Sequence, residues 1–460
     1  MAVAEEIPDG TAHLESTSGG VDPSGLVGRY RKRVRAPAAG RRWVGVLGLL
    51  IAAGCFRATQ NMALTTFSLL AHDSVGLGAA AIGTLAAVGG AVTVGVNLGV
   101  ASRVPVARSR LAAAVGICLV LPALVLLATA HSFWQLGLGV VVLGLGGGVV
   151  FPALATAIGQ VDPATRERAL ALFTLTLSGS LAIGPLLESG VLGVTGQALR
   201  SPFLAFLLFP CAGVAALGWS SRFSPGAPTS AASLEAPVVE EEVALAGAVA
   251  ASAPPLRARA KAVVGRSPLG NPGWRAAVTA QLLYSVPFAA ITVFGAVLAR
   301  SAFGVTPEEA QLGFSCFFIT SLGARALVAW RAPIRRKVPV LLGSGLLTVG
   351  GLALLATGHG LGLLLVAMGI LGLPHGLTFP IVLAQVAASA GPDGLARANA
   401  ALLAVSNSTS IVVPAVLGLI IPVTGYRGMA LLLLLPVVGF GAALWGQRKF
   451  EFDSGEVSAG

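Results

Sequence analysis

The length of the apolar runs limits this chain to very few folds. Between charged residues and Pro/Gly punctuation there are about twelve such runs, at 42–70, 78–101, 109–130, 133–158, 168–194, 201–220, 273–299, 308–330, 338–357, 360–388, 396–423 and 427–447. A helix rising 1.5 Å per residue needs roughly 20 of these residues to cross a hydrocarbon layer about 30 Å thick, and every run is long enough. Barrel strands are about 10 residues of alternating polarity. These runs are longer and apolar all round, so they predict helices, which satisfy their own backbone hydrogen bonds where lipid offers none. With 55% of its residues hydrophobic and 11% charged, against roughly 25% charged in soluble domains, the chain reads as an all-α protein housed in a lipid bilayer.

The charges say how the runs are threaded. "RYRKRVRAPAAGRR" precedes the first, "SRVPVARSR" follows the second, "DPATRER" the fourth, "RAPIRRK" the eighth and "GQRKF" the twelfth. Twelve crossings put all of these on one side, and cytoplasmic connections retain Arg and Lys, so both termini are expected in the cytoplasm. The net charge of +11 is then topological. Its basic residues are scattered among short loops rather than gathered into one stripe, which argues against nucleic acid as a partner. The first 28 residues lack the apolar core of a signal peptide and read as a tail. The expected organisation is a tail (1–41), a six-helix bundle (42–220), a linker (221–272), a second bundle (273–447) and a short tail (448–460). The linker is rich in Pro, Ala and Ser, with acidic Glu240–Glu242 and a basic stretch from Arg257 to Arg266, and reads as a flexible strap. Arg far outnumbers Lys, a compositional hint of a GC-rich bacterial genome and hence of a bacterial plasma membrane. A monomer is expected.

The two bundles repeat one another. "LLATAHSFWQLGLGVVVLGLGGGVVFP" at 126–152 matches "LLATGHGLGLLLVAMGILGLPHGLTFP" at 354–380, an offset of 228 residues that aligns His131 with His359, Gly144 with Gly372, Gly148 with Gly376 and Pro152 with Pro380. One residue further out of step, Pro185 meets Pro414 and Thr195-Gly196 meets Thr424-Gly425. Six helices in each copy keep the same orientation, which makes a parallel repeat about an axis along the membrane normal.

At this point the sequence resembles the major facilitator superfamily over its whole membrane portion. The family-like stretch is "GLGGGVVFPALATAIGQVDPATRERALALFTLTLSGSLAIGPLLESG" (144–190). The resemblance implies the twelve-helix fold of two six-helix pseudo-repeats, rocking about a midplane site with no cofactor. In the second loop, "GVASRVPVARSR" keeps the basic residues Arg103 and Arg108 of the family's gating motif, with Ser102 where Asp is usual. "GSLAIGPLLESG" is similar to the fifth-helix Gly-Pro motif of proton-driven antiporters, with Glu188 and Ser189 where small Gly residues are common. Pro185 and Pro414, one in each half, are candidate bending points for the rocking.

Polar groups inside the runs are costly and usually kept for a purpose. Arg57, Gln60 and Asn61 are spaced by three and four, which sets them on one helix face, directed towards a central cavity. There Arg57 would pair with an anionic substrate group, or would bond to neighbouring helices. Glu188 is the carboxylate well inside a run, where it could load and release a proton during transport. It lies about six residues, roughly 9 Å, from the end of its helix, so the other reading places it in an outer vestibule. His375 is a second candidate proton carrier, or a packing histidine. Gln281, Tyr284, Ser285 and Phe288 form a mixed face on the seventh helix, and Asn407 is the expected cavity group of the eleventh. Arg325 is expected to reach the cytoplasmic interface. Cys55, Cys118, Cys211 and Cys316 lack metal-ligand spacing and read as small buried residues.

No Walker-type loop, nucleophile elbow or His/Asp/Glu metal cluster appears, so an enzyme is not expected and transport would draw on a gradient. The expected function is a secondary carrier, a proton-coupled exporter of a small amphipathic or anionic molecule. Two alternatives stay open: a gradient-driven importer of an organic anion, and a transporter-like receptor without flux.

Overall fold

The computed structural model describes residues 39–161, 163–222, 270–331, 334 and 337–447. The expectations for the tails and for most of the linker, including Glu240–Glu242 and Arg257–Arg266, lie outside these residues. Among the described residues all regular structure is helical. The membrane-length runs are α1 (Trp43–Ser74), α2 (Ala79–Arg103), α3 (Val106–Ala128), α4 (Phe133–Gly159), α5 (Arg168–Val194), α6 (Ser201–Ser221), α7 (Pro272–Phe303), α8 (Pro307–Arg331), α9 (Lys337–Thr357), α10 (Gly360–Ala387) and a final run, Ala398–Gly446. That last run, of 49 residues, would be about 74 Å of straight helix, more than twice the hydrocarbon thickness. Gly425, at φ +69°, divides it into α11 (398–424) and α12 (426–446), because glycine takes the left-handed conformation at no steric cost. Divided there, the described residues hold twelve helices long enough to cross a bilayer. The backbone also stays helical through the connection between α10 and α11.

The duplication is built into the backbone packing. A side-chain carbon added at Gly144 of α4 would stand 2.9 Å from Gly89 O of α2, and one at Gly148 2.7 Å from Thr93 O. In the second half, carbons at Gly372 and Gly376 of α10 would stand 2.1 Å from Phe317 O and 2.2 Å from Ser321 O of α8. The glycines and the carbonyls they rest on are displaced by the same 228 residues. Small residues allow this approach, and packing of this kind holds helices together where lipid removes the hydrophobic drive. The helix ends repeat too. Arg200 Nη2 donates to Ala130 O at 3.0 Å and Arg427 Nη2 to Gly358 O at 3.1 Å, each capping carbonyls at the end of the third helix of its half.

The halves meet closely at the face away from the start of α1 and the end of α12, here called the distal face. Asp73 at the end of α1 pairs with Arg300 at the end of α7 (3.2 Å). A carbon at Gly83 of α2 would stand 2.2 Å from Pro414 O of α11, and one at Gly418 2.8 Å from Ala79 O. Between α5 and α8, Gln197 Nε2 donates to Glu308 Oε2 and Glu308 N to Gln197 Oε1, both at 3.1 Å. Deeper along α2, at Gly90, the approach to α11 relaxes to 3.3 Å from the Ile411 side chain and 3.4 Å from Ser410 O.

Candidate functional site

Below this seal, α1 and α4 present the polar side of a central site. Arg57 and Gln60 are half-buried. Arg57 Nη1 donates to Gln60 Oε1 at 3.0 Å, and its guanidinium lies 5.2 Å from the centre of the Phe151 ring, a cation–π arrangement. Gly147 leaves room for Gln60, whose Nε2 is 3.1 Å from where a Cβ would be.

The residue at the repeat position of Gly147 is His375, and there the second half presents rings. Its buried imidazole packs on Phe288 (4.4 Å between centres), Phe317 (5.3 Å) and Tyr284 (5.8 Å), and its Nδ1 shares a 2.7 Å hydrogen bond with Ser321 Oγ. Phe288 itself stands at the repeat position of Gln60. Also on α7, fully buried Gln281 donates from Nε2 to Ser406 Oγ of α11 at 2.7 Å and to Tyr284 OH at 3.2 Å. Gln281 Oε1 and Ser285 Oγ are buried without a hydrogen-bond partner among the described residues. Asn407 is half-buried beside Ser406, and it is Ser406 that Gln281 engages.

Arg325 departs from the expectation drawn for it. Its Nη1 turns across the boundary between the halves and donates to buried Ser178 Oγ of α5 at 3.3 Å. Ser321, the partner of His375, lies one turn away on the same helix, and the positive charges of Arg325 and Arg57 both bear on His375. An arginine from each half thus adds its charge to the field at one aromatic-lined imidazole.

Glu188 lies apart from this group. It is fully buried within the first half, between α5 and α1, with Thr66 Oγ1 donating to Oε1 and Thr65 Oγ1 within 3.3 Å of Oε2. Asn61, one turn before Thr65, is aimed at α5 rather than at the arginine side: its Nδ2 donates to Leu181 O at 3.1 Å. The reason is Pro185. A proline has no N–H to give the carbonyl four residues earlier, and that carbonyl is Leu181 O. Asn61 supplies the missing donor from another helix.

The remaining candidates are peripheral. Arg103, the last residue of α2, and Arg108, in the first turn of α3, are exposed, and Arg103 Nη1 donates to Gly99 O one turn earlier. Pro414 is buried against Gly83 of α2. Cys118 and Cys211 are exposed rather than buried, and Cys55 and Cys316 are half-buried; a helix facing lipid tolerates a small apolar residue on its outer surface as readily as inside. Among the described residues no group of His, Cys, Asp and Glu could hold a metal. A cavity of about 460 Å³ opens at the distal face, lined in part by Asp73, Gln197, Arg200 and Arg300.

Sequence reasoning passed over Thr65, Thr66, Ser178 and Ser406, and placed Arg325 elsewhere. Thr65 carried a signal, since 57, 61 and 65 are spaced by four on one helix face.

No family model and no curated protein matches the sequence. Among solved structures the chain is similar to a bacterial homolog of the human lysosomal transporter Spinster in its inward-facing and unoccupied conformation, with a TM-score of 0.64 and 13% identity over 90% of this chain and 95% of that one. It is similar to the nucleoside transporter NupG as well, with a TM-score of 0.65 and 14% identity over 89% of this chain and 100% of that one. The fold is the one these solved structures share, its regular structure helical throughout the described residues.

Proposed function

We propose that this protein is a secondary carrier that moves a small amphipathic anion across a bacterial plasma membrane by alternating access, driven by the proton gradient and working as an exporter. Both termini lie in the cytoplasm in this reading, and the carrier acts as a monomer. The observation that carries it is the central group: His375 in its ring of aromatics, with the charges of Arg57 from one half and Arg325 from the other both bearing on it. A guanidinium suits a carboxylate or phosphate, and aromatic rings suit the apolar body of the same molecule. Supporting the carrier reading, one of the two solved structures named above is called a transporter and the other a homolog of one. The direction of export rests on the likeness of the fifth helix to proton-driven antiporters.

The test begins with a library of aromatic carboxylates and their neutral amides. Compounds that raise the melting temperature of the purified protein bind its folded state, and those compounds are then followed in proteoliposomes under an imposed pH gradient. Accumulation that collapses with the gradient is expected, whereas binding without flux would make the protein a receptor. Arg57→Ala should weaken the carboxylates by at least about tenfold, roughly 1.4 kcal/mol, and leave the amides nearly unchanged. Equal loss for both would assign Arg57 to helix packing.

A further inference from the structure

The hydroxyls around Glu188 hold more possible acceptors than they have protons. Thr65 Oγ1 lies 3.1 Å from Asn61 O, 3.2 Å from Met62 O and 3.3 Å from Glu188 Oε2, yet it carries a single hydrogen. With Glu188 ionised, Thr65 donates to Oε2 while Thr66 donates to Oε1. When a proton binds at Oε2, that new O–H donates to Thr65 Oγ1, and the hydrogen of Thr65 swings to the backbone of its own helix at Asn61 O or Met62 O. Both states are fully paired without movement of a heavy atom. What changes is strength: two hydrogen bonds to a carboxylate become bonds to a neutral acid, and bonds to an ionised group are roughly twice as strong.

The position of Glu188 gives this exchange a lever. It follows Pro185 by three residues, and beyond it α5 leads to Gly193 and Gln197, which meet Glu308 of the other half. On the near side of the hinge, Asn61 holds the open carbonyl of Leu181. Helix α1 therefore grips α5 on both sides of its proline.

We propose that Asn61, Thr65 and Thr66 form a clasp that converts the protonation state of Glu188 into the position of the distal end of α5, and so into the state of the seal between the halves. The three are positioning residues, and the inference rests on the reading of Glu188 as the proton carrier. Protonation weakens the clasp and frees the segment beyond Pro185. The other acidic and basic groups on the elements packed against this part of α5 are Arg57, His72 and Asp73 on α1 and Glu308, Glu309, Arg325 and Arg331 on α8; α4 and α6 have none.

Spin labels at Val194→Cys and Val423→Cys report the seal, since both sites are exposed, at the distal ends of α5 and α11. The four native cysteines are first replaced by serine. In the full chain reconstituted in lipid, the distance distribution between the labels is compared in mildly acidic and mildly alkaline buffer. The wild-type background should shift between the two, and Glu188→Gln should abolish the shift. Thr65→Val with Thr66→Val should abolish it as well, and the corresponding Ser pair should restore it. A shift that survives both valines but not Glu188→Gln overturns the clasp and leaves Glu188 as the carrier. A shift that survives Glu188→Gln, or its absence from the wild-type background, overturns the reading of Glu188 and the clasp with it. Loss in the serine pair too would show that the threonine methyls, not the hydroxyls, matter. If the double valine fails to fold, as judged by gel filtration, Thr65→Val alone decides, with loss of at least half the shift expected.

Discussion

Where α1 of the first half carries Arg57, Gln60, Asn61, Thr65 and Thr66, the repeat positions of α7 in the second carry Ser285, Phe288, Ala289, Val293 and Phe294. Gly147 of α4 corresponds to His375 of α10. The buried carboxylate of α5, Glu188, corresponds to Leu417 of α11, although both helices keep their proline. The seams between helices tell the opposite story, with Gly144 and Gly148 matched by Gly372 and Gly376 against equivalent carbonyls. The backbone approach tolerates almost no change, because a single methyl group would collide with a carbonyl. A cavity wall tolerates much. At these matched positions α1 holds a charge, amides and hydroxyls, where α7 holds one hydroxyl and otherwise rings and aliphatic groups.

The seams differ in degree as well, and this is where the largest effect is expected. An added carbon at Gly372 or Gly376 would meet backbone oxygen at 2.1 or 2.2 Å, against 2.9 and 2.7 Å at Gly144 and Gly148. Overpacking a close-fitted interior costs about 1–3 kcal/mol, occasionally more. Gly372→Ala should reach or exceed the top of that range and Gly144→Ala should stay near its lower end. Thermal unfolding of the two variants in the same detergent checks this. Equal losses would mean that the second half relaxes around the new methyl, and that its tighter seam has no energetic weight.

A smaller effect tests the grip of α1 on α5, for which the second half has no counterpart. Asn61→Leu leaves Leu181 O without its donor. Hydrogen bonds between membrane helices average about 0.6 kcal/mol and reach about 1.7, so a loss of around 1 kcal/mol is expected in thermal unfolding. Pro185→Ala would give Leu181 O an N–H of its own helix. The double variant should therefore recover most of what Asn61→Leu loses, a coupling that a double-mutant cycle isolates. Strict additivity of the two losses would detach Asn61 from the proline.

These comparisons also show what could be seen in the sequence. Helix number and length were legible because lipid imposes a minimum span. The repeat was legible because Gly, Pro, His and Phe recur at fixed spacing, the seam glycines at places where a side chain would meet backbone. The face holding Arg57 and Gln60 followed from helical spacing alone. Asn61 lies on the same face by spacing, but its partner is set by a hydrogen missing from Pro185, and no local pattern links those positions. Arg325 sits near the end of its helix, where a long basic side chain can ordinarily run to the interface. Only the apposition of α8 and α5 across the halves brings Ser178 within its reach. The threonines were hidden by their habit of bonding to their own backbone, which Thr65 also does.

The smallest effect concerns two ways of closing the same face. Between α2 and α11 the seal is backbone against backbone at Gly83 and Gly418. Between α1 and α7 it is the pair of Asp73 with Arg300, in which both side chains are partly exposed and His72 Nδ1 also lies 2.7 Å from Asp73 Oδ1. Exposed pairs of this kind contribute about 0.2–1 kcal/mol, less as salt screens them. Asp73→Asn should therefore cost under about 1 kcal/mol in thermal unfolding at low salt and close to nothing at high salt. A loss that is larger, or that salt leaves untouched, would show that Asp73 closes the face through the short-range fit of its hydrogen bonds rather than through its charge. The two seals would then be of one kind.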